Sequence, residues 1–297
     1  MAYPKLTPAQ RLAINYYKAK LNLLNVVSPR LAAHEAFDLF TRPYGKPRRM
    51  RPSAWMQKAE TLKLESNGLN LTGYKWRVHD ANEKKVLIIH GFAGKVSSFE
   101  RYIGGLLQAG YDVYAYDAPG HGRSEGNRLN SVIYSQMIGD VVAAHGPFDG
   151  FIAHSLGGLA LMLTLHRAPL DHEPTVALIA PATESTTAAD KFFEFLQLPS
   201  TLRHAFDRFV EKLGGEPLHW YSISRVLPDI KAQILWLHDM QDTTTPITDV
   251  YPLMQKNLPH VHFHLTEGLG HSGIYKDNKV RRRIIDLFAG AMPPTEG

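Results

Sequence analysis

The stretch GFIAHSLGG, residues 150–158, decides the fold of this 297-residue chain. Its apolar first half is typical of a buried strand, and the run LALMLTL at residues 159–165 predicts a helix. Ser155 lies at the junction, where a sharp turn lifts a hydroxyl above a sheet and the helix N-terminus favours an anionic oxygen. We therefore interpret Ser155 as a nucleophile; the alternative is that it only caps the helix.

The segments on either side alternate between short apolar strands and helices, which predicts an α/β fold with a mostly parallel sheet and helices on both faces. Asn67 and Gly68 are a strong hairpin signal, so the leading strands should form an antiparallel hairpin. The predicted strands are residues 61–66, 69–78, 85–90, 111–117, 148–154, 175–180, 233–238 and 260–266. The predicted helices are residues 97–109, 131–145, 156–167, 247–257 and 273–288.

Two regions depart from this alternation. Residues 183–228 have helical periodicity, with helices expected over 191–198 and 202–213. An insertion after a strand lies at the carboxyl edge of the sheet, where open α/β folds bind ligands, so we predict a helical lid inserted after the sixth strand. Residues 1–57 form a separate N-terminal segment, in which Thr7 begins one helix and residues 29–40 form another. The predicted core is therefore 58–182 and 229–297.

The composition excludes several classes of protein. With 44% hydrophobic, 21% charged and 10% aromatic residues the chain is globular, and the absence of cysteine rules out disulfides, thiolate metal sites and a cysteine nucleophile. A formal charge of +5 argues only weakly for nucleic acid. Residues 42–52 contain three prolines and five basic residues, which we interpret as a solvated tether rather than a patch for nucleic acid or anionic lipid. Without a signal peptide or membrane span, we expect a cytoplasmic protein without membrane contact.

A second serine competes with Ser155 by motif alone. The sequence GRSEG at residues 122–126 fits the pattern G-x-S-x-G to the letter, whereas Ala153 occupies the first glycine place around Ser155. However, Ser124 follows the loop PGHG, and neither a strand before it nor an apolar helix after it is predicted. Because the motif has meaning only in a strand–turn–helix context, we assign Ser124 a role in shaping its loop.

A serine nucleophile needs a base, and the base needs an orienting acid; in this type of sheet the chain order is serine, acid, histidine. Asp239 and Asp242 both follow the strand at 233–238, and we favour Asp242 because it lies deeper in the loop. His271, in a glycine-rich loop before the last helix, is the expected base. Three further histidines alternate along the last strand and suit a sheet face better than a metal site: His260, His262 and His264.

The reaction also needs two backbone N–H groups that point at the developing oxyanion. One is expected from Leu156, directly after the nucleophile, and the other from Phe92 in the loop HGFAG at residues 90–94. We interpret His90, His121 and His154 as buried supports of the surrounding loops rather than as acid–base groups.

Taken together, these motifs resemble the α/β-hydrolase superfamily, and in particular its lid-bearing monoglyceride lipases and carboxylesterases. The resemblance covers about residues 61–288 and rests on HGFAG, DAPGHGRSEG at 117–126, AHSLGG at 153–158, the Asp242 loop and GHS at 270–272. It implies a Ser155–Asp242–His271 triad, Phe92 and Leu156 as oxyanion donors, acyl hydrolysis and no cofactor. Ala153 and Asp239 depart from the family pattern, since glycine is usual at both positions.

The expected function is therefore hydrolysis of carboxylic esters, with a small-molecule ester as partner and no nucleic acid. Five phenylalanines in the insertion suggest either an apolar acyl pocket or simply the core of the insertion: Phe192, Phe193, Phe195, Phe206 and Phe209. Thioester, amide or carbon–carbon substrates would use the same residues, and a ligand-binding protein on this fold is a further alternative. The sequence leaves the oligomeric state open.

Overall fold

The sheet contains eight strands in the computed structural model, which describes residues 7–43, 53–78 and 84–291. They are β1 Glu60–Ser66, β2 Leu69–Trp76, β3 Lys85–Ile89, β4 Asp112–Tyr116, β5 Gly150–His154, β6 Thr175–Ile179, β7 Gln233–Asp239 and β8 Val261–Thr266. Their order across the sheet is β1-β2-β4-β3-β5-β6-β7-β8. β1 pairs antiparallel with β2 and β2 antiparallel with β4, whereas all other neighbours are parallel. The predicted mostly parallel sheet with a leading hairpin is confirmed.

The α-helices among the described residues are α1 Pro8–Val27, α2 Pro29–Thr41, α3 Ala54–Lys58, α4 Glu100–Gln108, α5 Ser131–His145, α6 Leu156–Arg167, α7 Ser185–Phe195, α8 Ser200–Gly214, α9 Ile223–Val226, α10 Tyr251–Met254, α11 Gly270–Gly273 and α12 Asn278–Phe288. The predicted start of α1 is correct, because the Thr7 side chain accepts from the Gln10 backbone N–H and the Gln10 side chain accepts from the Thr7 N–H. The hairpin turn at Asn67 and Gly68 has the expected positive φ at both residues.

Helices cover both faces of the sheet, because successive strand residues point to opposite sides. In β3, Leu87 and Ile89 pack into one buried apolar cluster with α5 and α6. Val86 and Ile88 point the other way, into a second cluster with α4 and α12. β5 lies between β3 and β6 and is buried along its whole length. Its carboxyl end, where Ser155 follows, is therefore held by strands and helices on all sides.

Three predicted helices are shorter than expected. The span 97–109 begins with a 3₁₀ turn, Val96–Phe99, before α4, and 247–257 divides into the 3₁₀ turn Ile247–Asp249 and α10. The predicted helix 273–288 is interrupted, because Gly273 ends α11, Ile274–Lys276 form a 3₁₀ turn and α12 begins only at Asn278. Asp277 has extended backbone and its carboxylate accepts from the Lys279 and Val280 N–H groups, so it caps α12 and interrupts the run.

The chain divides into two compact units. The sheet unit is Pro43–Glu184 with Ser222–Gly297, and the helical unit is Met1–Arg42 with Ser185–Tyr221. The first two helices and the insertion's helices α7 and α8 thus belong to one unit, although they are far apart in sequence, whereas α9 belongs to the sheet unit. Residues 44–52, most of the proposed tether, lie outside the described residues. The assignment of the insertion as a lid stays a prediction.

The helical unit has an apolar core of its own, formed by α1, α2, α7 and α8. Three alanines of α2, residues 32, 33 and 36, are fully buried and leave room for close packing of helices. The Phe206 ring lies 5.3 Å from Phe193 and 5.8 Å from Phe40 between centroids. Phe192 and Phe209 pack against the same cluster, whereas Phe195 is 37% exposed. Four of the five phenylalanines are therefore accounted for by the core of this unit.

We expect that Gly150→Ala destabilises the protein and that Gly139→Ala does not. A Cβ at Gly150 in β5 would lie 2.3 Å from the Phe288 ring and 2.9 Å from the Thr175 carbonyl oxygen, so the central strand would be overpacked by about 1–3 kcal/mol. Gly139 lies inside α5, where the nearest atom is 3.5 Å away at the end of Arg167, and alanine there should gain about 0.5–1 kcal/mol. Urea unfolding of both variants measures the difference; equal stabilities would contradict the packing argument.

Candidate active site

Ser155 occupies a strained turn between β5 and α6. Its φ of 54° and ψ of −124° lie in a region that non-glycine residues rarely adopt. The turn is held by main-chain bonds, since the Ser155 N–H donates to the Ile179 carbonyl and the Ser155 carbonyl accepts from Ala182. The Ser155 side chain makes no capping bond to α6, so the interpretation as a mere helix cap fails.

Glycine is required beside this turn because the backbone is crowded there. A Cβ at Gly91 would lie 2.9 Å from the Ser155 Cβ, and one at Gly157 would lie 2.5 Å from the His90 carbonyl oxygen. A Cβ at Gly158 would lie 2.7 Å from the Pro181 side chain. The glycines that the sequence placed around the serine are therefore needed for clearance, and the small Ala153 is fully buried in the first glycine place.

Three predicted residues meet in one hydrogen-bonded chain at the carboxyl edge of the sheet. The His271 Nε2 lies 3.0 Å from the Ser155 Oγ, and the His271 Nδ1 lies 2.7 Å from the Asp242 Oδ2. With the proton on Nδ1, the imidazole donates to the carboxylate and offers a lone pair to the serine hydroxyl. Ser155 and Asp242 are buried, and His271 keeps 15% of its side chain exposed.

The Asp242 carboxylate is stabilised in its charged form. Burial opposes ionisation, but the hydrogen bond and electrostatic interaction with His271 and the bonds from Thr245 outweigh it, so the pKa of Asp242 is lowered. The Oδ1 accepts from the Thr244 and Thr245 N–H groups, and the Oδ2 accepts from the Thr245 hydroxyl at 2.8 Å. Sequence reasoning missed Thr245, because nothing in the run TTT at 243–245 distinguishes it from its neighbours.

Asp239 is buried at the end of β7 and has a different set of partners. Its Oδ2 accepts from the Thr266 hydroxyl at 2.8 Å and from the Leu269 N–H at 3.0 Å, and its Oδ1 accepts from the Gln241 N–H. Leu269 precedes α11, the short turn that contains His271. Although burial opposes its ionisation, the hydrogen bonds from Leu269 and Thr266 outweigh this effect and lower the pKa of Asp239. Asp239 thus fixes the loop of His271, whereas Asp242 contacts the imidazole itself.

The two expected oxyanion donors lie at the start of α6 and in a loop that His121 contacts. Leu156 is the first residue of α6, and the first N–H groups of a helix have no acceptor within it. The Phe92 ring packs edge-on against His121 at 5.8 Å between centroids, and the next residue, Ala93, donates its N–H to the His121 Nε2 at 3.0 Å. The His121 Nδ1 donates to the Pro119 carbonyl oxygen. His121 therefore ties the Phe92 loop to the loop at 117–126.

Three other buried histidines bond to backbone groups in the same way. The His90 Nε2 accepts from the Ala118 N–H, the His154 Nε2 donates to the His271 carbonyl oxygen, and the His238 Nε2 donates to the Thr245 carbonyl oxygen. Burial lowers the pKa of His121 to about 4 and that of His154 to about 3, and it also lowers the pKa values of His90 and His238. All four are neutral at pH 7 and support the site loops; three were interpreted so from sequence, and His238 was missed.

The competing serine has a structural role. The Ser124 Oγ donates to the Asp117 carbonyl oxygen and accepts from the Thr72 N–H, so it links its loop to β2. The buried Asp117 carboxylate accepts from the Val96 and Arg123 N–H groups.

His260, His262 and His264 lie in or beside β8, at the edge of the sheet. In the described part of the chain, no group of three or more His, Cys, Asp or Glu residues could hold a metal ion.

The sheet order, the serine on the turn after β5 and the histidine after β8 define an α/β hydrolase. Residues 80–232, just over half of the chain, match the family described as serine aminopeptidase, S33, and the chain belongs to this family of α/β hydrolases. Among curated proteins it is 23% identical over 247 residues to the uncharacterized protein YqkD of Bacillus subtilis, covering 80% of this chain and 81% of that one. It is also 35% identical over 89 residues to a putative carbamate hydrolase, RutD, of Variovorax paradoxus, covering 28% of this chain and 34% of that one.

Solved structures share the fold at lower identity. The esterase Pf2001 of Pyrococcus furiosus superposes with a TM-score of 0.64 at 18% identity, covering 85% of this chain and 98% of that one. A monoacylglycerol lipase of Paleococcus ferrophilus gives a TM-score of 0.58 at 22% identity, covering 74% and 99%.

We expect the free energy of unfolding to fall as the pH is lowered below about 6.5. The four buried histidines bind protons in the unfolded chain but stay neutral in the folded protein, because burial lowers their pKa values. A folded pKa below the unfolded value means that the stabilisation is complete above about pH 6.5 and is lost as the pH falls towards the folded pKa. His154→Gln keeps a side-chain donor but removes one titrating group. We measure the free energy of unfolding by urea between pH 7 and 5. Its slope against pH should be smaller in the variant than in wild type by up to about 1.4 kcal/mol per pH unit. An identical slope would contradict a neutral, buried His154.

Proposed function

We propose that this protein hydrolyses carboxylic esters, with Ser155 as nucleophile, His271 as base and Asp242 as the acid that orients it. The proposal rests on one observation, the chain of hydrogen bonds from Asp242 through His271 to the Ser155 hydroxyl, at 2.7 and 3.0 Å. A nucleophile and a base within hydrogen-bond reach, with a third group on the far side of the base, is the arrangement that activates serine.

The chemistry follows from the positions of the protons. The Ser155 oxygen attacks the acyl carbon while the His271 Nε2 takes its proton, and the Asp242 carboxylate stabilises the imidazolium. The imidazolium then protonates the leaving alcohol, which leaves an ester between Ser155 and the acyl group. Water attacks this ester after giving a proton to His271, and the carboxylic acid departs as Ser155 regains its proton.

The oxyanion of each tetrahedral intermediate is assigned to the backbone N–H groups of Phe92 and Leu156. The N-terminus of α6 adds partial positive charge where the oxygen becomes negative. The ties of His121 to the Phe92 loop support this role, because donors that are already oriented need no reorganisation during the reaction. No step in this sequence calls for a cofactor.

The substrate we propose is a small ester with an apolar acyl part. Leu156 directly follows Ser155, and Phe92 directly follows Gly91, whose backbone closely approaches Ser155; both are partly exposed apolar residues, which supports this preference. The esterase and the monoacylglycerol lipase that share the fold support the ester class. Amide hydrolysis is the competing reaction, since the family description names an aminopeptidase and RutD is named a carbamate hydrolase.

We expect a fluorophosphonate probe to modify Ser155, because the probe reports a serine whose proton can be removed. Peptide mapping of the full-length protein locates the label. Ser155→Ala should abolish labelling and lower kcat for p-nitrophenyl esters by at least about 10⁴-fold, whereas Ser124→Ala is the matched control and should still be labelled. Label on Ser124, or none on wild type, would refute the assignment. Faster turnover of amino-acid p-nitroanilides than of esters would move the substrate class to amides while keeping the nucleophile.

The two aspartates should separate in kinetics and in stability. Asp242→Asn should lower kcat for the same esters by about 10³–10⁴-fold, because the amide N–H of asparagine donates to the His271 Nδ1 and favours the wrong tautomer, and because a neutral amide does not stabilise the imidazolium. Asp239→Asn retains the Asp242–His271 bond, so its loss of kcat should be much smaller, while its free energy of unfolding falls by about 1–3 kcal/mol. Comparable losses of kcat in the two variants would leave the acid unassigned.

A further inference from the structure

The first helix exposes an apolar face that the core of the helical unit does not use. Leu12, Leu23, Val26 and Val27 are 73%, 69%, 84% and 74% exposed. With Tyr16 and Ala19 they recur at helical spacing along α1, so they lie in one line on its outer side, which we call the outer stripe. Scattered exposed apolar residues are ordinary, but a continuous line of them along a 20-residue helix marks a surface that binds something apolar.

The opposite side of α1 makes the contacts that hold the helix in place. Leu21 is 1% exposed in the core of the helical unit, and Ile14, Tyr17 and Leu24 pack against the same core. These residues lie about half a turn from the outer stripe, at 100° per residue. The inner face already anchors α1 to the helical unit. The side chains of the outer stripe are therefore not needed to hold the helix in place, and they are available for a partner.

The charged side chains of α1 itself are all positive. Arg11 and Lys18 lie along one margin and Lys20 along the other, and residues 8–27 contain no Asp or Glu. Lys18 bonds to the Gln197 side chain, and Lys20 pairs with Glu35. Over residues 1–57 there are ten Lys and Arg against two Asp and Glu, whereas the remaining 240 residues have 23 against 26. The N-terminal segment is thus net +8 and the rest of the chain net −3.

We propose that the outer stripe of α1 binds the surface of an anionic lipid membrane. An apolar line bordered by cations is the pattern of a helix that lies in the bilayer interface, with its side chains reaching about 5–10 Å below the headgroups. The basic residues would then face acidic headgroups, which attract them. The helix lies on the membrane and does not span it; in the described part of the chain, no helix is long and apolar enough to cross.

A second copy of this chain fits the same face less well. Association of two outer stripes would bring the cations of one α1 (Arg11, Lys18 and Lys20) towards those of the other, and like charges across an interface oppose binding. An anionic surface turns the same charges into attraction. This proposal departs from the expectation of no membrane contact, because the sequence did not reveal which face of α1 the fold leaves open.

The test is co-sedimentation of the full-length protein with vesicles. We expect binding to vesicles of phosphatidylcholine with phosphatidylglycerol, much weaker binding to phosphatidylcholine alone, and weakening by salt. The triple variant Leu12→Gln, Leu23→Gln, Val27→Gln should bind at least about tenfold less, because it removes three of the inserting side chains while keeping good helix formers. Leu213→Gln, at a site 60% exposed on α8 of the same unit, is the matched control and should bind like wild type.

Three results would overturn the proposal. They are failure of wild type to bind the anionic vesicles, binding of these vesicles by wild type that is no better than that of the triple variant, and equal binding of wild type to both kinds of vesicle. A wild-type dimer in sedimentation that the triple variant converts to monomers, without vesicle binding, would make the face a contact between copies instead. Circular dichroism melts check that the triple variant is folded. Ser155→Ala should bind vesicles like wild type, so this inference stands or falls separately from the hydrolase assignment.

Discussion

The turn at Ser155 is the constraint on which the rest of the site depends. A non-glycine residue at positive φ costs on the order of 1–3 kcal/mol, and it persists only where the surroundings enforce it. Here β5 supplies that enforcement, since it is buried between β3 and β6 and the main-chain groups of Ser155 are bonded to the last residue of β6 and to the segment after it. The glycines at 91, 157 and 158 are needed for the same reason, because a Cβ at these positions would collide with the Ser155 Cβ, the His90 carbonyl oxygen and the Pro181 side chain.

Two carboxylates three residues apart position His271. Asp242 bonds to the imidazole, whereas Asp239 bonds to the backbone of the turn from which the imidazole projects. The resemblance to the α/β-hydrolases predicts glycine at the earlier position, whereas this chain has a buried aspartate there. Burying a charge is costly unless several donors compensate it, and Thr266, Leu269 and Gln241 supply them.

The sequence was sufficient for the features that local patterns encode. The strand alternation, the Asn67–Gly68 hairpin and the strand–serine–helix junction each have a signature within about ten residues, and the structure contains all three. The start of α12 was missed because Asp277 reads as one more polar residue until its carboxylate is seen to cap the helix. The partners of Asp239 and the grouping of α1 and α2 with residues 185–221 depend on contacts between distant parts of the chain, which no local pattern reports.

The bond from His154 to the carbonyl of His271 has a mechanical consequence. His154 immediately precedes Ser155, so the segments that carry Ser155 and His271 are joined by this bond as well as by the bond between their own side chains. We therefore expect a displacement of β5 to carry the turn of His271 with it, so that the distance between the serine oxygen and the imidazole nitrogen changes little.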